Sequence, residues 1–486
     1  MNQTINQEEI LRYKGELSSF DQGMEFLDQI HPYHIDLDVY GKNSLFQLLN
    51  RTSTTFGKKM LSGWLSIPEQ KSTIEGRREA IKELGNKLDW RQNFQAYGRN
   101  YKEENGGIES LLGWLKEENE ILPKKWYQVV LILLPLIICS TFVLWIAEIA
   151  PAAYFSMAIL INIGVLATVQ KQASAIYKKT IKGNQALKAF ENQIRLIENE
   201  SFESESMRTL KTHFINDSLK ASAALKQLQF VLDGLHNRSN IMYWPINIFF
   251  MLDIGLLSKA EKWKENTKAD IEHWFVSIGE IECLNSLAGF HYANPEYAFP
   301  NISESPYTVI GEQVGHPLIK HEKRISNNFD FSGKGGICLI TGSNMSGKST
   351  FLRTVGVNAV LALMGAPVCA KFMDISHLQV FTSMRTQDDL EESVSSFYAE
   401  LKRLKQLIDS INTDVPTLFM VDEVLKGTNS EDRHKGAIAL IRQLNKTDAF
   451  IVQHLEILSP ITLSIVIVLL YSLYRYEFWS YYIWSL

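Results

Sequence analysis

Cysteine is scarce in this chain, and the few cysteines are not spaced as functional pairs. They are Cys139, Cys283, Cys338 and Cys369, and no two of them form a CxxC motif. This spacing excludes the paired cysteines of zinc ribbons and thioredoxin-like redox sites. Cys338 and Cys369 lie in or beside apolar runs, so we expect them to be buried free thiols in a reducing compartment.

A net basic charge and a secretion signal are also missing. The 486 residues include 49 Lys and Arg against 54 Asp and Glu, which gives a formal charge of −5. This balance excludes a protein that is basic over its whole surface, although it leaves room for a local basic groove. The first residues, MNQTINQEEI, contain no positive region followed by an apolar core, so no signal peptide is predicted. The length predicts two or three domains.

Long apolar runs, by contrast, are present in the middle of the chain. Residues 129–147 are interrupted only by Ser140 and Thr141, and residues 149–169 mainly by Asn162. Each run is long enough to cross a hydrocarbon core of about 30 Å as a helix. Because only a short turn separates them, the sequence predicts a transmembrane helical hairpin. The alternative is a buried helical hairpin in a large soluble core.

Lysines flank this hairpin on both sides and are absent from its turn. They are Lys124, Lys125, Lys171, Lys178 and Lys179. The positive-inside rule therefore places both flanks in the cytoplasm, which predicts a multi-pass protein of the cell membrane. A third apolar run, residues 242–257, is shorter and contains Pro245 and Asp253. We interpret it as a packed or interfacial helix, because a third crossing would put the two halves of the chain on opposite sides.

A phosphate-binding loop follows in the last third of the chain. The stretch GSNMSGKS fits the pattern GxxxxGK[ST] at every position, between the apolar strand GICLITG and the helix KSTFLRTVGVNAVLALMG. In such a loop the backbone N–H groups and the helix N-terminus face phosphate oxygens, Lys348 reaches the β- and γ-phosphates, and the Ser349 hydroxyl ligates Mg²⁺. The predicted ATP-binding residues are Gly342, Ser343, Asn344, Met345, Ser346, Gly347, Lys348, Ser349 and Thr350.

An acidic strand end supplies the second half of the predicted site. The stretch TLFMVDEVLKGTN contains an apolar strand that ends in Asp422 and Glu423. Asp422 is predicted to hold the Mg²⁺ shell, and Glu423 to polarise the attacking water. The pair favours an ATP hydrolase over a protein that only stores nucleotide. The alternative is an ordinary acidic strand end.

Two serines between these segments have two interpretations. Ser395 and Ser396 begin the helix in EESVSSFYAELKRLKQLIDSI. A serine at this place can simply cap the helix. It can also present donors to the γ-phosphate of a nucleotide bound by a neighbouring subunit.

Taken together, these segments resemble the MutS family of DNA mismatch-repair ATPases. The resemblance rests on TGSNMSGKSTFLRTVGVNAVLALMGAPVCA, GHPLI, SVSSFYAEL and DEVLKGTN, and upstream on residues 45–84 and 278–290. It implies an α + α/β fold: an all-helical MutS-type core and lever region, here with an inserted transmembrane hairpin, followed by a P-loop ATPase domain of the ABC type. It also implies a homodimer with two composite ATP sites, in which the serines act across the dimer, and DNA as a partner.

The resemblance assigns two further site residues and leaves two features unmatched. It places Ile325 near the adenine and makes His454 the sensor of the γ-phosphate, although Gln453 replaces the threonine usual before that histidine. No phenylalanine-x-glutamate wedge precedes the core, so direct reading of mismatches is not expected. The apolar tail, 457–486, matches nothing in the family. It is either a membrane-seeking segment or the result of a frameshift near residue 453, and we favour the frameshift.

The sequence thus predicts a membrane-anchored, MutS-like ATPase that couples ATP hydrolysis to clamp-like DNA binding near the membrane. A transporter-type ABC ATPase is an alternative, but no LSGGQ-like signature is present and two spans are few for a substrate path. An ATPase-impaired binding scaffold is a third candidate. The predicted domains are a first helical part (1–125), the transmembrane hairpin (126–170), a second helical part (171–300), the ATPase domain (301–456) and the atypical tail (457–486).

Overall fold

A computed structural model describes most of the chain. The described residues are 1–100, 107–180, 183–215, 220–333, 337–341, 346–384, 396–410, 415–422, 431, 435–436, 449–454 and 481–485. The chain divides into two compact units. The first comprises Met1–Arg51, Lys58–Leu88 and Cys283–Leu486, and the second comprises Thr52–Gly57 and Asp89–Glu282. The domain boundaries given above stay predictions.

Helices dominate the described residues, and the strands form two small sheets. This helix-rich architecture with little sheet fits a MutS-type core. The helices are α1 (Asn2–Tyr13), α2 (Leu45–Leu49), α3 (Thr55–Ser66), α4 (Lys71–Asn86), α5 (Leu88–Arg99), α6 (Gly107–Lys116), α7 (Trp126–Ile146), α8 (Ala152–Thr180), α9 (Asn184–Asn199), α10 (Glu205–Thr212), α11 (Ala221–His236), α12 (Tyr243–Phe250), α13 (Leu252–Thr267), α14 (Ile271–Ala293), α15 (Lys348–Met364) and α16 (Ser396–Ser410).

The strands belong to the first unit. They are β1 (Asn301–Ser303), β2 (Thr308–Val314), β3 (Asn327–Ser332), β4 (Ile337–Thr341), β5 (Phe372–Ser376), β6 (Gln379–Ser383), β7 (Thr417–Asp422), β8 (Ala449–His454) and β9 (Tyr481–Ser485). One sheet has the order β1-β5-β2-β3 and mixes parallel and antiparallel pairs. The other has the order β6-β7-β8-β4-β9, and every pair in it is parallel.

The tail contributes one strand to this parallel sheet. β9 pairs with β4 from Ile337↔Tyr481 to Thr341↔Ser485 and so covers an edge that would otherwise expose unpaired backbone groups. The apolar run before β9, including residues 461–474, lies outside the described residues. A membrane-seeking tail or a frameshift therefore stays a prediction.

A buried carboxylate organises the second unit. Glu282 accepts hydrogen bonds from the backbone N–H of Ser53 (3.1 Å) and Thr54 (3.1 Å) and from the Thr54 hydroxyl (2.6 Å). The same Thr54 hydroxyl accepts from the Gly57 N–H at 3.0 Å, which satisfies a free donor in the first turn of α3. A Cβ on Gly57 would stand 2.2 Å from a Glu282 carboxylate oxygen, so only glycine fits there.

The two apolar runs form α7 and α8, which lie side by side as an antiparallel pair. Both helices are long and apolar enough to cross a membrane. Of the most apolar 18-residue stretch of each helix, only 6% is buried inside the protein in α7 and 22% in α8. A helical hairpin in a soluble core would be mostly buried, so this exposure weighs against that alternative.

The prediction that Cys338 and Cys369 are buried free thiols is confirmed, whereas the reducing compartment stays a prediction. Cys338 in β4 and Cys369 after α15 are both free and buried. Burial raises the pKa of the Cys338 thiol to about 12, and burial is also the main reason that the pKa of Cys369 is raised. Neither thiol therefore ionises near neutral pH.

Candidate nucleotide site

The candidate site lies at the carboxyl edge of the parallel sheet. β8 lies between β4, which leads into the predicted phosphate loop, and β7, which ends in Asp422. The register pairs His454 with Ile340 on one side and with Asp422 on the other. The carboxyl ends of parallel strands meet at one edge, where open α/β sheets bind their ligands. The strand order thus puts the end of the loop strand, the backbone of His454 and Asp422 at the same edge.

The described end of the predicted phosphate loop has a left-handed glycine directly before a helix. Gly347 has a φ of 94°, a left-handed conformation that favours glycine, and it directly precedes α15. Lys348 is the first residue of the helix and is buried, with 5% exposed. α15 thus begins directly after Gly347, and a helix N-terminus of this kind suits an anion.

A direct contact joins the two halves of the predicted site. The Ser349 hydroxyl, in the first turn of α15, donates a hydrogen bond to Asp422 Oδ2 at 2.6 Å. β7 is buried along its whole length, and Asp422 itself is only 8% exposed. A rigid buried strand thus holds the carboxylate against the loop, although the two residues are 73 positions apart.

These residues fit a divalent cation and a phosphate. A hydroxyl and a carboxylate oxygen in contact are the ligand types that Mg²⁺ takes beside nucleotide phosphates. The Ser346 hydroxyl is buried and, within the part of the loop that the structure describes, has no hydrogen-bond partner. A buried hydroxyl without a partner is costly unless a ligand or water satisfies it.

A buried asparagine in α15 fixes the loop that leads towards Ile325. Asn358 donates to the Gly315 carbonyl at 2.9 Å and accepts from the Cys369 N–H at 2.7 Å. Gly315 and His316 begin the GHPLI stretch, and burial lowers the pKa of His316 to about 4. Ile325 follows this stretch and is 80% exposed. An apolar side chain so exposed is available to pack on a ligand such as a nucleobase.

The opposite face of α15 is closed by the N-terminal segment of the chain. A Cβ on Gly356 would stand 2.7 Å from a Leu37 methyl and 2.7 Å from the Met420 methyl of β7. The neighbouring Arg353 is within 3.5 Å of the Asp38 carboxylate. The helix that presents Lys348 and Ser349 is therefore wedged between β7 and residues 37–38.

An arginine docks α16 beside the sheet. Arg403 donates to the carbonyls of Ile30 (3.1 Å), His31 (3.0 Å), Pro32 (2.6 Å) and Thr382 (3.2 Å), the last of these in β6. Its guanidinium also lies over the Phe381 ring, 4.6 Å from the centroid. α16 begins at Ser396, so this contact holds in place the helix that carries the predicted serine motif.

Several predicted site residues lie outside the described residues: Gly342, Ser343, Asn344, Met345, Ser395 and Glu423. The structure places the described ones as follows: Ser346, Gly347, Lys348, Ser349 and Thr350 at the loop end and the first turn of α15, Asp422 at the end of β7, His454 at the end of β8, Ile325 before β3, and Ser396 at the start of α16. Those brought together are the loop end, Asp422 and the backbone of His454.

The sequence interpretation missed Asn358 and Arg403, which position parts of the site. Asn358 left one signal, because it is a lone amide in the apolar stretch VGVNAVLALMG of a helix that proves buried. A buried amide must find hydrogen-bond partners, so such a residue points to a structural contact. Arg403 left no such signal, because it lies among other charged residues in AELKRLKQL.

Comparisons with known proteins point to one family. A family model of MutS domain V matches residues 338–467, a range that includes most of β4 and all of α15, β7 and β8. The DNA mismatch repair protein MutS of Staphylococcus aureus (strain MRSA252) is 28% identical over 228 residues, which is 45% of this chain and 25% of that protein. That of Clostridium kluyveri is 31% identical over 214 residues, 43% of this chain and 23% of that protein.

A eukaryotic relative shows the same partial likeness. MutS protein homolog 4 of Mus musculus is 30% identical over 176 residues, which is 35% of this chain and 18% of that protein. The aligned part thus amounts to a quarter or less of each of these relatives. The chain is thus similar to MutS proteins, with a MutS domain V match over residues 338–467.

Proposed function

We propose that this protein binds ATP with Mg²⁺ at the edge of the parallel sheet and hydrolyses it. The observation that carries the proposal is the 2.6 Å contact between the Ser349 hydroxyl and Asp422 Oδ2. It brings a helix N-terminus that suits phosphate and a buried carboxylate that suits a cation to one place.

Each residue of the site has a separate task in this proposal. The backbone N–H groups of 342–350 and the Lys348 ammonium bind the phosphate oxygens. Ser349 and Asp422 hold Mg²⁺, which when bound neutralises charge on the phosphate oxygens. Glu423 orients and deprotonates the attacking water, and His454 lies at the strand end where it can sense the γ-phosphate. Ile325 packs against the base.

The site works across a homodimer in this proposal. α16 presents Ser395 and Ser396 to the nucleotide of the partner subunit, and Arg403 holds that helix at a fixed place on the sheet. ATP binding would then close the dimer, and hydrolysis would release it. The two bacterial relatives named above are DNA mismatch repair proteins. By analogy, the closing dimer would clamp DNA.

Membrane anchoring is the second part of the proposal. α7 and α8 would cross the cell membrane, because both are long enough to span it and expose most of their apolar surface. Lysines at both ends of the hairpin put its flanks, and with them the ATPase site, on the cytoplasmic side. The protein would thus hold a DNA-binding clamp near the membrane.

The test uses the full chain in detergent, with ATP turnover and Mg²⁺-dependent nucleotide binding measured with and without duplex DNA. We expect Lys348→Ala to lose both activities, with turnover reduced about 100-fold or more. Asp422→Asn should weaken nucleotide binding only when Mg²⁺ is present, because it removes a cation ligand and leaves the phosphate loop intact. Glu423→Gln should bind ATP but turn it over slowly.

A matched control separates these effects from a general loss of positive charge. Lys371→Ala removes an exposed lysine that follows α15 and lies outside the site. It should keep wild-type binding and turnover. Wild-type turnover in both Lys348→Ala and Asp422→Asn would refute the assignment of the site. If duplex DNA does not change ATP turnover at any salt concentration, the proposed coupling to DNA is refuted, but the proposed ATP hydrolysis is not.

A further inference from the structure

The apolar run at 242–257 forms a helical corner rather than one helix. α12 ends at Phe250, Met251 takes a left-handed conformation with a φ of 53°, and α13 begins at Leu252. The corner belongs to the same unit as α7 and α8 and packs against both of them. The position of the corner along the hairpin decides whether water or lipid surrounds it.

A hydrogen bond from Asn162 of α8 gives the position of the corner along the hairpin. Its side-chain amide donates to the Ile248 carbonyl, in the last turn of α12, at 2.8 Å. Asn162 comes ten residues after the first residue of α8, Ala152, which corresponds to about 15 Å along the helix. The 21 residues of α7 extend for about 31 Å. The corner therefore lies near the middle of the hairpin rather than at either end.

The chain segments before and after the corner both contact the base of the hairpin, which is the end opposite its turn. Before α12, Arg238 donates to the Ser174 hydroxyl at 3.2 Å, near the end of α8. In α13, the buried Glu261 accepts hydrogen bonds from the backbone N–H groups of residues 120–122, just before α7. The chain thus goes in along the hairpin for about half its length and comes out at the same end.

The polar groups at the corner are satisfied by one another. The Asn247 amide donates to Asp253 Oδ2 at 3.0 Å, and its oxygen accepts from the Asp253 N–H at 2.9 Å. The Tyr243 hydroxyl donates to Asp253 Oδ1 at 2.6 Å, and Arg238 lies 3.4 Å from the same carboxylate. Irregular backbone at membrane depth requires internal partners of this kind, whereas a corner in water does not.

The outer face of the corner is apolar and continues the surface of the hairpin. The Phe249 ring lies 6.0 Å from Phe142 of α7 and 6.1 Å from Phe155 of α8, between ring centroids. The exposed side chains around it are Ile241, Met242, Trp244, Ile246 and Phe250. An exposed apolar patch next to a membrane-spanning hairpin has one medium that suits it, the acyl chains of the same bilayer.

We infer that residues 241–257 form a re-entrant segment, immersed in the bilayer to about its midplane and in contact with lipid acyl chains through the exposed face of α12. This inference rests on the proposed insertion of α7 and α8. Because the segment enters and leaves on one side, it adds no crossing, and both halves of the chain stay on the cytoplasmic side. The membrane-embedded part then has four helical pieces instead of two.

The experiment measures the surroundings of nitroxide spin labels on the full chain in lipid vesicles. Single labels replace Phe250 at the corner, Leu133 on the exposed face of α7 and Lys188 on the water-exposed surface of α9. The background carries Cys139→Ser, because the other three cysteines are buried. Collision with oxygen, which concentrates in acyl chains, is compared with collision with a water-soluble nickel complex.

We expect the Phe250 label to match the Leu133 label, with high oxygen and low nickel collision, and the Lys188 label to show the reverse. A lipid-like Leu133 with a water-like Phe250 would overturn the re-entrant segment and leave the anchor in place. If Leu133 is itself water-like, the proposed anchor fails and the inference fails with it.

A substitution tests the contact that sets the depth. Asn162→Leu removes the donor to the Ile248 carbonyl. It should lower the oxygen collision and raise the nickel collision of the Phe250 label, while both values stay unchanged for the Leu133 label. The control is Ile163→Leu, since Ile163 is exposed on the neighbouring face of α8. If Asn162→Leu moves neither label, or if Ile163→Leu moves the Phe250 label equally, the role of Asn162 is refuted.

Discussion

Replacing Arg403 should loosen α16 and the end of β6 while leaving the rest of the first unit folded. Arg403 makes four hydrogen bonds to carbonyls of residues 30–32 and Thr382, with donor–acceptor distances of 2.6 to 3.2 Å. Burial lowers the pKa of the guanidinium, which nevertheless stays charged at neutral pH. A hydrogen bond to a charged group contributes about 1.5–3 kcal/mol, and a shared network is not additive.

The magnitude follows from these bonds and the partial exposure of the side chain. We expect Arg403→Met to lower the free energy of local opening by about 2–4 kcal/mol, which is roughly a 30- to 900-fold rise in amide exchange. Methionine keeps an apolar stem for packing on Phe381 but provides no donor. The free energy of local opening of Arg403→Lys should lie between those of the wild type and Arg403→Met, because one ammonium cannot reach four carbonyls.

Hydrogen–deuterium exchange read by mass spectrometry locates the effect. The peptides that cover residues 28–34, 379–384 and 396–410 should exchange faster in Arg403→Met, and peptides from α15 should not. The matched control is Lys405→Met, which removes an exposed cation from the same helix and should change nothing. Equal exchange in wild type and Arg403→Met would refute the reasoning that this side chain docks α16.

Two further predictions concern pH and topology. His31 and His34 are stacked with ring centroids 3.5 Å apart, and burial lowers their pKa values to about 4 and about 3. Since the unfolded chain takes up these protons below about pH 6.5 and the folded chain does not, stability should fall as the pH drops from about 6.5 towards 4. His34→Gln should reduce the change of the thermal unfolding temperature with pH. An unchanged pH dependence would contradict the conclusion that His34 is neutral in the folded state. In the second, an impermeant thiol reagent added outside the cell should label Glu148→Cys at the hairpin turn but not Lys125→Cys or Lys178→Cys, in the Cys139→Ser background. Equal labelling at both ends would exclude the proposed orientation.

Local sequence predicted the parts of the site that depend on local geometry. A glycine loop between an apolar strand and a helix is a continuous stretch, and Gly347 needs a left-handed backbone whatever surrounds it. The end of β7 could also be found, because a wholly apolar strand that finishes on carboxylates is visible in the chain itself. The 2.6 Å contact of Ser349 with Asp422 depends instead on β8 lying between β4 and β7, a strand order that local patterns do not specify.

The helical corner at Met251 was beyond sequence reasoning for a different reason. Residues 242–257 are apolar throughout most of their length, and hydropathy measures only how long and how apolar a run is. It cannot reveal the left-handed turn at position 251, because the residue there is a methionine and not the glycine, asparagine or aspartate that usually takes this conformation. The interpretation as a packed or interfacial helix came from a count of crossings, and the structure replaces one helix by two that meet at a corner.

The threonine–glycine turn at the start of α3 shows how a local motif can depend on a distant residue. Thr54 and Gly57 alone read as a helix cap, since the threonine hydroxyl receives the Gly57 N–H. The reason that position 57 must be glycine lies 225 residues further along, because a Cβ there would collide with the Glu282 carboxylate. The same carboxylate binds the N–H groups of Ser53 and Thr54, so this contact joins residues 45–84 to residues 278–290, and both stretches resemble the MutS family. Two stretches that read as separate motifs along the chain are therefore one structural element of the helical core.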